Sequence, residues 1–221
     1  MFVGHYAASL ALKGVEKKAS LGLLFLAVQF VDILFFPLVL LGIERLNIVE
    51  NYTQSTHFEL VFMPYTHGLV ASILWAILVY ALFRFLPLVK AANRNRVAMV
   101  MGMAVLSHWF LDLLVHTPDL PLFGDNSVKL GLGLWNNAIA TYFLEAALLV
   151  GGLWVYLRTT RATTAIGKYG IVAFVGSLLI VNAANIFGTL GGKSMVSLTA
   201  SALFSYFLFA GIAFWLDSKR A

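Results

Sequence analysis

His108, Asp112 and His116 recur every four residues within the otherwise apolar run Leu106-Ser107-His108-Trp109-Phe110-Leu111-Asp112-Leu113-Leu114-Val115-His116. A four-residue step stacks side chains along one stripe of an α-helix, so two imidazoles and a carboxylate share a face. An ionisable group in a membrane-length segment costs on the order of 3 kcal/mol on insertion scales, and it usually faces a bundle interior where it binds, transports or does chemistry. The spacing suits metal ligation or a proton relay. His116 stands beside Thr117-Pro118-Asp119 and reads equally well as a ligand or as a solvated helix end.

His5, His67, Asp32 and Glu145 also fall in or beside apolar stretches, and Asp32, Asp112 and Glu145 are the acidic residues placed inside spans. Neutral imidazole combined with carboxylate oxygen suits Zn²⁺, Mn²⁺ or Fe²⁺. The chain has no cysteine, which removes thiolate nucleophiles, disulfides and Cys-type metal sites. A divalent metal held by these groups, zinc first, is the expectation. A metal-free polar network and scattered helix-packing contacts are the other readings open to the same residues. Within a metal site Asp112 could instead orient His108 from behind, since the ring nitrogen that does not ligate often donates to a carboxylate. Glu145 shares a helix face with Asn137 and Thr141, and a desolvated carboxylate there could act as a general base or carry protons in transport. His57 reads as a loop residue, and Asn182 and Asn185 as interhelical hydrogen-bonding groups. Gly131-Leu132-Gly133 lacks the strand and lysine of a phosphate loop.

Positioning these groups falls to a hydrophobic scaffold. The 221 residues are 61% hydrophobic and 11% charged, whereas a soluble domain carries roughly a quarter charged residues. One integral membrane domain spanning 1–221 is expected. Apolar segments run from Ser20 to Ile43, Pro64 to Leu86, Val97 to Val115, Leu134 to Leu157, Gly167 to Phe187 and Val196 to Leu216, each near the ~20 residues that cross the hydrocarbon. The fold class expected is all-α, a bundle of six transmembrane helices. Phe2 to Leu12 is apolar but too short to span and reads as a short or re-entrant helix. Lys13, Lys17 and Lys18 follow this stretch rather than precede it, unlike a cleavable signal peptide.

With the N-terminal flank taken as cytoplasmic, only Arg45, Lys129 and Lys193 of the 15 Lys and Arg residues fall on the outer side. That bias places both termini in the cytoplasm and accounts for the net charge of +5 without nucleic acid as a partner.

The ordered set His5, Asp32, Thr66-His67 and Ser107-His108-x-x-x-Asp112 resembles the membrane-bound metal-dependent hydrolase family of bacterial inner-membrane proteins, over about residues 1–120. That family repeats an N-terminal histidine, an aspartate ending the next helix, a Thr-His-Ser motif and a Ser-His-Leu-Leu-Leu-Asp motif. More distantly the order is similar to the zinc-dependent phospholipase C and P1-type nuclease pattern. The resemblance implies His5, Asp32, His67, His108 and Asp112 as metal ligands, with His116 added by its spacing. This chain reads Gln29-Phe30-Val31-Asp32 where the family tends to have Pro-Asp-Leu-Asp, and Pro64-Tyr65 precedes Thr66-His67-Gly68 where the family tends to have Arg-Gly.

The function expected is hydrolysis of an ester or phosphoester of a lipid-like or small-molecule substrate within an inner membrane. Asp112 or Glu145 would accept the proton. A permease or proton-coupled transporter, built on the same intramembrane groups, is the alternative from another class, and a membrane scaffold is a third.

Overall fold

Where water is absent every backbone N–H and C=O must be bonded within its own segment, so long apolar runs become helices. The computed structural model describes residues 1–88, 91–189, 191–192 and 194–221; Lys90 and Lys193, counted among the flanking charges, lie outside them. Among the described residues the chain forms α1 (His5–Val15), α2 (Leu21–Val28), α3 (Phe30–Leu40), α4 (Leu69–Phe85), α5 (Arg94–Val115), α6 (Ala138–Thr159), α7 (Ala165–Phe187) and α8 (Met195–Asp217). Ser20, Asn137, Thr164 and Ser194 start α2, α6, α7 and α8, each side chain accepting a backbone N–H from the first turn as helix N-caps do.

The all-α class holds, with differences in the spans. Helices α5 to α8 are long and apolar enough to cross a membrane, and they mark the chain as a membrane protein. The first expected span is instead the pair α2 and α3, bent by 48° at Gln29, and α4 is a shorter apolar helix of 17 residues. By length and composition, four helices among the described residues, or five spans with the bent pair counted as one, could cross a membrane; six are not shown.

Two small hairpins were not anticipated. β1 (Arg45–Ile48) pairs antiparallel with β2 (Phe58–Phe62) between α3 and α4, and β3 (Leu120–Pro121) pairs with β4 (Lys129–Leu130) between α5 and α6. They sit at one end of the bundle, where Ser55 N–H in the β1–β2 loop donates to the Trp135 carbonyl and Val70 N–H at the start of α4 donates to the Leu122 carbonyl just after β3.

Helix α1 lies inside the bundle, packed on α2, α5 and α6, with His5, Tyr6 and Leu10 fully buried. Contact with α6 is close because Gly152 has no side chain: a Cβ there would stand 2.5 Å from the Ala7 carbonyl oxygen. The far end of α1 is pinned by Lys13, whose Nζ donates to Asp217 Oδ2 at 2.7 Å and to the carbonyls of Ala19 and Lys17. Tyr156 OH donates to the other oxygen of Asp217. A main apolar core fills the middle of the bundle around Tyr6, Phe25, Val105 and Leu149, and a smaller one under the hairpins joins Phe35, Phe36, Met63, Trp109 and Tyr206.

Candidate metal centre

Each polar side chain near the hairpin end of the bundle is brought there by a separate local feature. The four-residue spacing in α5 carries His108 and Asp112 down one face, and His116 caps that helix. The bend at Gln29 puts Asp32 in the first turn of α3 rather than at the end of a helix. It also leaves Val28 as the last residue of α2, where carbonyls have no partner inside the helix. His108 Nδ1 donates to the Val28 carbonyl at 2.7 Å. His67 stands just ahead of α4, and His5 is the first residue of α1.

Asp112 is the hub of the arrangement. Its Oδ1 lies 3.1 Å from His5 Nε2, and its Oδ2 lies 3.0 Å from His108 Nε2, 3.5 Å from His116 Nε2 and 3.9 Å from His67 Nε2. Asp32 Oδ1 faces the same space, 3.3 Å from His67 Nε2 and 3.7 Å from His108 Nε2. The rings of His5 and His108 stack with centroids 3.9 Å apart and planes 6° from parallel. His5, His108 and Asp112 can each offer a ligand atom within 4.8 Å of the others, and so can Asp32, His67 and His108. The six expected ligands therefore meet at one place.

The protonation of three rings follows from their outer partners. A carbonyl only accepts, so His108 carries its proton on Nδ1. Thr66 donates its single hydroxyl proton to Glu44 Oε2 at 2.7 Å, which leaves the Thr66 oxygen to accept from His67 Nδ1 at 2.8 Å. His116 Nδ1 donates to Asp119 Oδ1 at 2.8 Å. Outer-shell bonds of this kind fix the tautomer and turn the Nε2 lone pair inward. In the neutral rings those lone pairs point at carboxylate oxygens, a repulsion that either a proton on Nε2 or a metal cation held between them relieves. Among the described residues, the buried His5 Nε2 and His108 Nε2 lack hydrogen-bond partners despite their closeness to Asp112. Orphaned ring nitrogens around two buried carboxylates fit a divalent cation, whose charge would offset a desolvation cost of several kcal/mol per ion.

Other residues complete the shell. Tyr206 OH donates to Asp32 Oδ2 at 3.2 Å, Phe35 meets the His67 ring edge-on, and Trp135 lies 4.0 Å from the His116 ring. Glu44, in the loop after α3, also accepts from the N–H groups of Tyr65 and Thr66; burial pushes its carboxyl up from its ordinary value, against the pull of those hydrogen bonds.

Glu145 reaches the same cavity differently. Its Oε2 accepts from Gly4 N–H at 2.9 Å and Phe2 N–H at 3.2 Å, so it satisfies donors that the start of α1 leaves open. The Met1 amino nitrogen lies 2.6 Å from Asp112 Oδ1. His57 is in a loop, as expected, but it is buried: Nδ1 accepts from Asn51 N–H, and Nε2 lies 3.1 Å from the Gly188 carbonyl. Asn185 lines the cavity, whereas Asn182 is buried with no hydrogen-bond partner among the described residues.

The cluster opens into a cavity of about 400 Å³. Asp32, His67, Asp112, His116 and Glu145 line one part of it, Ser55, Thr56 and His57 another, and mainly apolar residues of α3, α7, α8 and the first hairpin, with a few serines and Asn185, much of the rest. Sequence reasoning did not include Glu44, Thr66 or Tyr206 in the site, because nothing in their spacing ties them to the histidines; the Thr-His dipeptide at 66–67 was the one available signal.

No family model matches the chain, and comparison with curated proteins and with solved structures returns no significant match.

Proposed function

We propose that the cluster binds divalent metal, zinc in the first instance, and that the protein is a membrane-embedded hydrolase of an ester or phosphoester in a lipid-like substrate. The observation that carries this reading is the convergence of four Nε2 atoms and two carboxylates on one buried space, with three of the rings fixed from behind. The resemblance in His5, Asp32, His67, His108 and Asp112 to the membrane-bound metal-dependent hydrolases supports the same assignment.

A divalent cation held by these ligands would lower the pKa of a bound water and polarise the scissile carbonyl or phosphoryl group. In this hydrolysis the oxygen of water bonds to carbon or phosphorus, the ester bond to the alkoxy oxygen breaks, and the leaving oxygen takes a proton. Asp112 or Glu145 accepts the proton lost by water and returns it to the leaving oxygen. Tyr206 holds Asp32 in place through its hydroxyl. Apolar walls beside a polar floor match a substrate with a hydrocarbon part and a hydrolysable head. In the orientation favoured by the basic residues, with both termini in the cytoplasm of a bacterial inner membrane, the hairpins lie on the outer side.

The test is elemental analysis of protein purified without a metal-affinity column, beside folded His108→Ala and Asp112→Asn variants, followed by a screen of lipid esters and phosphoesters. Near-stoichiometric metal lost in both variants is expected. Folded wild type that stays metal-free after reloading, and instead shows substrate-dependent proton flux in proteoliposomes, would replace the hydrolase with a transporter.

A further inference from the structure

The cavity beside the metal centre continues sideways, between two membrane helices. At the end of the bundle away from the hairpins α7 and α8 are tied together: Arg220 Nη1 donates to the Gly167 carbonyl at 2.6 Å, and Thr163 donates to the Lys219 carbonyl through both its N–H and its hydroxyl. Gly167 lies against that same Lys219 carbonyl, with no room for a Cβ. In their hairpin-side halves, among the described residues, no hydrogen bond joins the two helices. The cavity wall there includes Val181, Ala184 and Asn185 from the last turns of α7 and Leu198, Ser201 and Ala202 from the first turns of α8. Val181 of this wall is 37% exposed, and Ala184 and Ser201 are exposed too.

We infer that this crevice holds an acyl chain of a bilayer phospholipid, which enters sideways between α7 and α8 and presents its ester or phosphodiester to the His and Asp cluster. Three parts of the cavity match three parts of such a molecule. Val181 and Ala184 of α7 and Ser201 of α8 line the crevice and are themselves exposed, on helices whose surroundings are hydrocarbon, so the mouth opens onto lipid. The floor is Asp32, His67, Asp112 and His116. Within the hairpin edge, whose strands add Leu46, Phe58 and Leu60, the loop residues Ser55, Thr56 and His57 form a polar patch that suits a headgroup. A phospholipid carries its hydrolysable bonds where hydrocarbon gives way to polar groups, and the cavity makes the same change between the α7–α8 wall and the cluster. The inference rests on the hydrolase reading for the reaction but not for the binding of the chain.

The full-length protein, reconstituted in phosphatidylcholine and phosphatidylglycerol vesicles, is irradiated with a trace of phosphatidylcholine bearing a diazirine at the end of one acyl chain, and the adducts are mapped by mass spectrometry. Labelling several-fold higher at the α7–α8 wall than at the exposed α6 residues Phe143, Val150 and Trp154 is expected, and Ala202→Phe should remove the excess while leaving α6 labelling unchanged. Should Ala202→Phe fail to fold, Ser201→Cys supplies the chain's only cysteine, and its alkylation by a bulky maleimide should lower wall labelling in the same way. Even labelling over all lipid-facing helices, or wall labelling that persists in the folded, blocked variants, overturns the inference. Metal measured in the same samples separates the two readings: a labelled crevice in metal-free protein removes the hydrolase and keeps the acyl-chain site, and metal-bound protein with even labelling does the reverse.

Discussion

Thr66→Val isolates the outer support of the metal centre from the ligands themselves. Valine replaces the hydroxyl with a methyl of similar size. Glu44 keeps the N–H groups of Tyr65 at 2.9 Å and Thr66 at 3.1 Å, so its carboxylate is not stripped of donors and the fold should survive. His67 Nδ1 loses the oxygen now 2.8 Å away. A buried donor left unsatisfied costs ~1–3 kcal/mol. That cost falls on the metal-free protein too, so only the part that holds the ring in its ligating orientation changes affinity. Outer-shell substitutions weaken metal binding by ~10–100-fold, and the lower end, ~10-fold or about 1.4 kcal/mol, is expected for one ring among four. Competition for zinc against a chromophoric chelator in detergent reads this directly, and Thr66→Ser, which retains the hydroxyl, should bind like wild type. Equal affinities in Thr66→Val and wild type, with metal still lost in Asp112→Asn, would refute the relay through Glu44 and Thr66.

Acid should release the metal, because ligation needs a neutral Nε2 and protons compete for it; the affinity for zinc measured against a chelator should fall as pH is lowered, and an affinity independent of pH would count against imidazole ligands. Gly152→Val should push α1 away from α6, since even a Cβ meets the Ala7 carbonyl oxygen at 2.5 Å. Overpacking of this kind costs ~1–3 kcal/mol and displaces His5, so both the melting temperature and the zinc affinity should fall. Lys13→Ala removes the partner of Asp217 at the opposite end; a loss of about 3 kcal/mol in unfolding experiments with unchanged metal content is expected, and lost metal would show that the two ends of the bundle are coupled.

Within a single helix the sequence was a sufficient guide. Hydropathy located α5 to α8 because a lipid-facing segment can bury its backbone only as a helix. The step from His108 to Asp112 to His116 set one shared face because the helical period is a local property of the chain. Residue chemistry, with imidazoles, carboxylates and no thiol, pointed to a metal before any distance was known. The same reasoning placed Glu145 on an inward face, but not its role of receiving the Phe2 and Gly4 N–H groups at the start of α1.

Tertiary structure decided everything that depends on how one helix registers against another. His5 and Asp112 are 107 positions apart, and no period links them; they meet because Gly152 lets α1 sink into the bundle. Asp32 faces His67 and His108 because the chain breaks at Gln29, where the composition reads as one continuous span. Glu44 follows the apolar segment that ends at Ile43, yet it is buried behind Thr66 and His67. Spacing along the chain records which side chains share a face of one helix, whereas the meeting of faces depends on small residues, bends and carbonyls left free at breaks, and these act only once the helices are packed.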